Sequence, residues 1–177
     1  MRSRDVEVRS SSIHGRGVFA HRAFRQGDGV LPIDDNRVVT AEHPLDPAEG
    51  EFDDHQDYLG DRNVLMREPE RYINHCCEPN TFVKTMDRVR WVVAYRDIAP
   101  NEEITYDYCI NSYGDEEWRC ECGHARCRRL HSTDFFKLPE EKLVEYLPLL
   151  DEWFVEWRHA TVRQFRQRVT DASETPS

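Results

Sequence analysis

Through the first 110 residues apolar and polar positions alternate over short runs, and beyond residue 138 the spacing becomes helical. A period of two marks half-buried strands; recurrence every three or four residues marks an amphipathic helix. Val6 to Phe24 reads as two short strands around the glycine turn SSIHGRGVFA, and Val30 to Val39 as strand, turn, strand. Thr40 to Gly60 holds Pro, Gly and acids without a period, so loop with one short element is expected. NVLMREPERYINH is apolar but interrupted by Pro69. TFVKTMDRVRWVVAYRDI predicts a hairpin turning at Asp87-Arg88, and NEEITYDYCI another short strand. Residues 112–131 carry three cysteines, two glycines and many charges, too irregular for helix or sheet.

The C-terminal part reads differently. Pro139 suits a first helical turn, EEKLVEYL is helical in composition, and Pro148 breaks that helix. Leu150, Phe154, Trp157, Thr161 and Phe165 predict one amphipathic helix with an apolar stripe, which packs on the domain or serves as a partner or dimer surface. Residues after Thr170 are polar and expected to fray. The fold class is therefore mainly β (α+β), with many short strands before the helices. A doubly wound nucleotide fold is disfavoured, and GRG is too short for a dinucleotide fingerprint.

The length, 177 residues, suits one core. The start, MRSRDVEVRS, has no apolar signal segment, and no apolar run approaches the ~18 residues that span a bilayer. A net charge of -10 argues against general nucleic-acid binding, which needs a basic footprint. Between Glu42 and Asp61 there are eight Asp or Glu and no Lys or Arg. Such a run is either a solvated face or a lip that attracts a basic substrate. With 21 Arg against 3 Lys, the composition suggests a GC-rich, bacterial genome and a cytoplasmic location; a eukaryotic source would suggest the nucleus.

Six cysteines without an export signal point to metal ligands or core residues rather than disulfides. Cys120, Cys122 and Cys127 lie in CECGHARC, and three thiolates at that spacing begin a structural zinc site, which wants four ligands. His124 could be the fourth, but it sits inside the tight loop. Cys77, in RYINHCCEPN, is the better candidate, leaving Cys76 to pack or line a pocket. Cys109 follows a strand and reads as a core residue.

Four segments together resemble the SET-domain protein-lysine methyltransferases. HGRGVFA is similar to the family's first glycine motif and RYINHCCEPN to its Arg-Phe-Ile-Asn-His-Ser-Cys-x-Pro-Asn signature. NEEITYDY is similar to Gly-Glu-Glu-Leu-Thr-x-Asp-Tyr, and CECGHARCR to the post-SET zinc motif. The resemblance implies small curved β-sheets with knot-like threading that bring the Asn-His and Asp-Tyr segments together. It implies S-adenosylmethionine on one face and a lysine channel on the other. By position, His14, Gly15, Arg16, Gly17, Asn74 and His75 would hold the cofactor, and Tyr108 would be the catalytic tyrosine. Tyr106 would limit how many methyl groups fit, giving mono- or dimethylation, and Cys77, Cys120, Cys122 and Cys127 would bind structural Zn2+.

Two departures stand out: VLPIDD replaces a Tyr-x-Gly that many members have after the second strand, and Cys76 replaces the signature serine. The expected division is a SET domain over 5–110, a post-SET zinc loop over 111–131, a helical extension over 132–170 and a disordered tail over 171–177. The expected partner is a basic, lysine-containing protein or peptide, with no direct nucleic-acid contact and no membrane. The alternatives are a non-catalytic SET scaffold acting as an interaction module, and a methyltransferase with a non-protein substrate.

Overall fold

A computed structural model describes residues 5–174. Strands β1 (Val6–Ser10) and β2 (Arg16–Ala20) pair antiparallel across the glycine turn. Next come β3 (Gly29–Pro32) and β4 (Val38–Val39). Two 3-10 turns follow, Pro47–Glu49 and Asp53–His55, and then β5 (Gln56–Leu59) and β6 (Arg62–Leu65). Thr40 to Gly60 is thus more ordered than expected. Its strand escaped notice because only Leu59 of QDYL is buried, so the run has no apolar period.

After a further 3-10 turn, Glu70–Tyr72, come β7 (Asn74–His75), β8 (Thr81–Met86) and β9 (Val89–Ala94). Asp87 and Arg88 both have positive φ, 49° and 66°, so the β8–β9 loop is a two-residue turn whose twist matches the hairpin. Strand β10 (Glu103–Tyr106) completes the main sheet, in the order β1-β2-β10-β8-β9-β3. It pairs antiparallel with β2 and parallel with both β7 and β8. Strands β4, β6 and β5 form a separate three-stranded sheet.

Residues 112–131 were expected to lack regular structure. Instead β11 (Glu117–Arg119) pairs antiparallel with β12 (Leu130–Ser132), closing the cysteine-rich loop between them. All three residues of β11 are exposed, so no burial pattern marks it in the sequence.

The C-terminal helices are α1 (Glu140–Tyr146), α2 (Glu152–Trp157) and α3 (His159–Glu174). The single helix expected across the apolar stripe is broken at Arg158, whose φ and ψ of -102° and 23° shift the helical phase. Trp157 is consequently turned out of the stripe. It lies 3.8 Å, centroid to centroid, from the ring of Tyr113, whose hydroxyl donates to the carbonyl of Gly60. Val162, not Thr161, continues the buried stripe with Phe165. Helix α3 runs to Glu174, past the expected start of a disordered tail at 171, and residues 175–177 lie outside the described residues.

One apolar core lies on the main sheet, including Val18, Leu31, Ile73, Val92 and Ile104. A second joins Cys109 to Phe135, Tyr146, Phe154 and Phe165, so the helical stripe is used within the chain. Asp151 ties the two together: its carboxylate accepts from the amide and hydroxyl of Thr85 at 2.8 Å, and its own amide donates to Asn111. No helix among the described residues is long and apolar enough to cross a membrane.

Candidate active site and cysteine cluster

The glycine turn and β10 meet through Asn74. The parallel register puts Asn74 beside Thr105, and its Nδ2 donates to the carbonyls of His14 (3.2 Å) and Arg16 (2.9 Å) and to Glu103 (2.8 Å). Glu103 also accepts from the Ser11 hydroxyl at 2.8 Å. A Cβ on Gly17 would fall 2.3 Å from the Glu103 carboxylate, so only glycine leaves room for it, while Gly15 supplies a positive φ of 45°. The guanidinium of Arg16 lies over the Tyr72 ring, leaving its backbone to the turn.

His75 is buried beside the Asp107–Cys109 segment. Its Nδ1 accepts from the Tyr108 amide at 3.2 Å and its Nε2 faces Cys77 Sγ at 3.4 Å. Burial, against the pull of Asp107 and with the push of Arg128, holds the His75 pKa down at about 4. The ring is therefore neutral near pH 7, and with Nδ1 accepting, the proton sits on Nε2 and donates to the sulfur. His131, wholly buried and 4.3 Å from His75 between ring centroids, is held down to about 3, by burial first and by His75 next.

Tyr108 is gripped at both ends, by that amide bond and by a 2.7 Å hydrogen bond from its hydroxyl to the carbonyl of Ile73. The Asn-His and Asp-Tyr segments thus come together. Tyr106 lies alongside, ring centroids 5.0 Å apart. Burial raises both phenols above their ordinary range, so both stay protonated. The two tyrosines and Ile73 line a cavity of about 640 Å³ together with Trp118 and Trp153.

The same cavity is lined by Asp53, Asp54, Asp57 and Glu116. Asp57 pairs with Arg90, whereas Asp53, Asp54 and Glu116 make no ion pair among the described residues. The remaining acids of the 42–61 run are not part of its lining. Glu51, for example, is consumed by a two-point pair with Arg37 at 3.1 and 2.6 Å. The acids at the cavity are therefore fewer than the charge run suggests, and Glu116 joins them from beyond the run.

The sulfurs of Cys77, Cys120, Cys122 and Cys127 all lie within 4.8 Å of one another, with Cys77 and Cys120 3.6 Å apart. Tetrahedral zinc at 2.3 Å from each thiolate puts sulfurs about 3.8 Å apart, so the donor set fits that ion. Amides of Arg128 and Arg129 point at Cys77 and Cys127 sulfurs, each at 3.4 Å, as suits thiolate acceptors. Burial first, with neighbouring thiols, pushes Cys77 up and Cys120 to about 11, whereas Cys122, despite burial, is held down at about 7 by backbone and thiol hydrogen bonds. A bound cation would favour the thiolate at every position. His124 is exposed and its Nδ1 accepts from the Arg126 amide, which removes it from the donor set. Cys76 packs against the cluster without joining it.

For an aminoacyl sulfonium cofactor the turn offers an exposed backbone at His14, Gly15 and Arg16, with open space over Gly15. The Asn74 Oδ1 has no donor among the described residues, which suits an ammonium group. Nothing equivalent marks the VLPIDD region. Glu103 and Arg128 went unassigned in the sequence. Glu103 stood inside a recognised motif, but its partner Gly17 is remote, and nothing in the sequence separates Arg128 from the other charges of its loop.

Residues 15–109 match the SET domain family model. Histone-lysine N-methyltransferase trithorax of Drosophila melanogaster is 31% identical over 137 residues, covering 70% of this chain and 4% of that protein. Human histone-lysine N-methyltransferase 2B is 32% identical over 138 residues, 70% of this chain and 5% of that protein. The H3 lysine-4 specific histone-lysine N-methyltransferase of Saccharomyces cerevisiae is 47% identical over 64 residues, 33% of this chain and 6% of that protein. The chain thus corresponds to a small part of these relatives. Among solved structures, KRYPTONITE in complex with mCHG DNA and SAH superposes with a TM-score of 0.52 at 25% identity, over 73% of this chain and 30% of that one. With the family match spanning more than half of its length and the Asn74, Tyr108 and cysteine geometry in place, this chain belongs to the SET-domain family.

Proposed function

We propose that the chain transfers a methyl group from S-adenosylmethionine to the side-chain amine of a lysine in a basic protein, adding one or two methyls. The observation that carries this reading is the meeting of two segments: β7, whose Asn74 holds the glycine turn, pairs with β10, and Tyr108, just past β10, lines the cavity and donates to Ile73 beside Asn74.

When bound, S-adenosylmethionine supplies a methyl group on a positively charged sulfur. The residues around it have three tasks. The backbone of His14, Gly15, Arg16 and Gly17, with Asn74 and His75, holds the donor. Cys77, Cys120, Cys122 and Cys127 hold zinc, which orders a polar loop that burial alone would not. Tyr108 and Tyr106 line the channel and aim the amine.

Free lysine has a pKa of about 10.4 and must lose a proton before it attacks. A desolvated channel next to a positive sulfur disfavours the ammonium twice over. Neither tyrosine is the base, because both phenols are harder to ionise than usual. Tyr108 spends its proton on Ile73, leaving oxygen lone pairs to accept from the amine. Water takes the proton, and in-line geometry supplies several orders of magnitude in rate. Asp53, Asp54 and Glu116 at the cavity favour a basic peptide.

The test is transfer of radiolabelled methyl from S-adenosylmethionine to mixed basic proteins by the zinc-bound chain. Recovery of labelled methyllysine after hydrolysis is expected. Donor binding by calorimetry with no label on any protein would leave the scaffold reading instead.

A further inference from the structure

We propose that Arg128 is a positioning residue that couples the cysteine cluster to the two channel tyrosines through Asp107. Arg128 directly follows Cys127, one of the four clustered thiols, and Asp107 is the residue between Tyr106 and Tyr108. The guanidinium meets the carboxylate at two points, Nη1 to Oδ2 at 2.6 Å and Nη2 to Oδ1 at 2.9 Å. Asp107 is wholly buried, and its Oδ1 also accepts from the Cys109 amide at 3.1 Å.

Arg128 is itself held by the cluster. Its amide points at Cys77 Sγ at 3.4 Å, and its Nη1 reaches the Cys77 carbonyl at 3.5 Å. The guanidinium is planar and rigid, so a two-point pair fixes orientation as well as distance. Arg128 is therefore held at both ends, its amide at the sulfur and its guanidinium at the carboxylate. On the other flank Tyr108 is fixed by His75 and Ile73, both from the segment that carries Cys77. Loss of order in the cysteine loop would withdraw the cation from Asp107 and release the strand end that carries both tyrosines. The burial of Asp107 makes this an exacting contact, since a lone carboxylate there would draw in water or a proton.

The kinetic part of the inference rests on the methyl-transfer reading; the amide-exchange part does not. The variant to make is Arg128→Lys, which keeps the charge and loses the fork. Zinc per chain is measured with a colorimetric chelator, amide hydrogen exchange is followed over residues 105–109, and kcat and KM are measured with a basic peptide. Expected are unchanged zinc, exchange over 105–109 faster by about tenfold or more, and kcat lower by about 10- to 100-fold with KM for the donor nearly unchanged. Wild-type exchange over 105–109 in the zinc-bound variant would overturn the proposal. Loss of zinc from the variant would overturn it too, because Arg128 would then act on the metal site and not through Asp107.

If the variant fails to fold, the wild type alone decides. Removing its zinc with a chelator is expected to speed exchange over 105–109 together with the cysteine loop, leaving the β8–β9 amides protected. Retained protection over 105–109 would refute the coupling. A wild type without methyl transfer sinks the functional reading and leaves the exchange result standing.

Discussion

The Tyr108 hydroxyl donates to the carbonyl of Ile73 at 2.7 Å, one residue before the asparagine that holds the glycine turn. The channel wall and the turn are thus built from one stretch of backbone. Tyr108→Phe removes that bond and the oxygen that, on the proposed reading, accepts from the amine. It should lower stability by about 1 kcal/mol and methyl transfer by about 100-fold. Thermal melting and the radiolabel assay would measure the two effects separately; near-normal turnover would exclude Tyr108 from the reaction.

The vicinal cysteines should separate cleanly. Cys77→Ser is expected to abolish zinc retention and lower the melting temperature, because a four-sulfur site loses a ligand. Cys76→Ser should keep one zinc per chain, since Cys76 only packs against the cluster. Elemental analysis of the two purified variants decides it, and zinc loss in both would redraw the ligand set.

Tyr106 lines the cavity, and its hydroxyl has no hydrogen-bond partner among the described residues, so it is available to a water or to the amine. Tyr106→Phe should free that volume and raise the number of methyls added. Intact-mass spectra of the product peptide would read this directly. Trimethyllysine from the wild type would contradict the role.

Neutralising the cavity acids should act on binding more than on the fold. Asp53→Asn with Asp54→Asn and Glu116→Gln should raise KM for a basic peptide several-fold at low salt and flatten its salt dependence. Stability should change by less than about 0.5 kcal/mol per site, as for most surface changes. An unchanged KM at low ionic strength would rule out the acidic lip.

Glu70 predicts a pH effect. Burial raises its pKa to about 8, against the pull of Arg90 and with the push of Asp35 and Asp57. Arg90 is already committed to both aspartates, at 3.1 Å to Asp35 and in a short contact to Asp57. An unfolded chain releases this proton near pH 4.5, the folded chain only near 8. The protonated acid thus contributes stability that is full below about pH 4.5 and lost as pH rises through 8. Glu70→Gln should therefore stabilise the protein at pH 8 relative to wild type, by on the order of a few kcal/mol. Denaturant melts at pH 5 and pH 8 would show the gain growing with pH; an equal effect at both would discount the buried acid.

Much of the site was legible because its motifs are local. The RYINHCCEPN and NEEITYDY segments each carry their chemistry within ten residues. The β8–β9 turn was legible for the same reason, as its two residues supply the positive φ angles themselves. What was hidden depends on remote partners. Glu103 acquires its place only because Gly17 lacks a side chain, and Arg128 only because Asp107 is buried beneath it. Strand β11 is exposed along its whole length, so alternation could not reveal it. The break at Arg158 has neither Pro nor Gly to announce it, and the Trp157–Tyr113 contact that accompanies it joins residues remote in sequence.

The placement of β10 governs how this chain acquires its structure. The strand is flanked by β2 on one side and by β7 and β8 on the other, yet it is the last of the seven to be synthesised. Until β10 is available, Val18 of β2 lacks its neighbour Ile104, and the gap between β2 and β8 stays open. Loop closure over such separations makes assembly slow and leaves unpaired edges exposed meanwhile. A fragment ending before Glu103 therefore has no finished sheet to fold into, and a nascent chain must wait for its centre before it can settle.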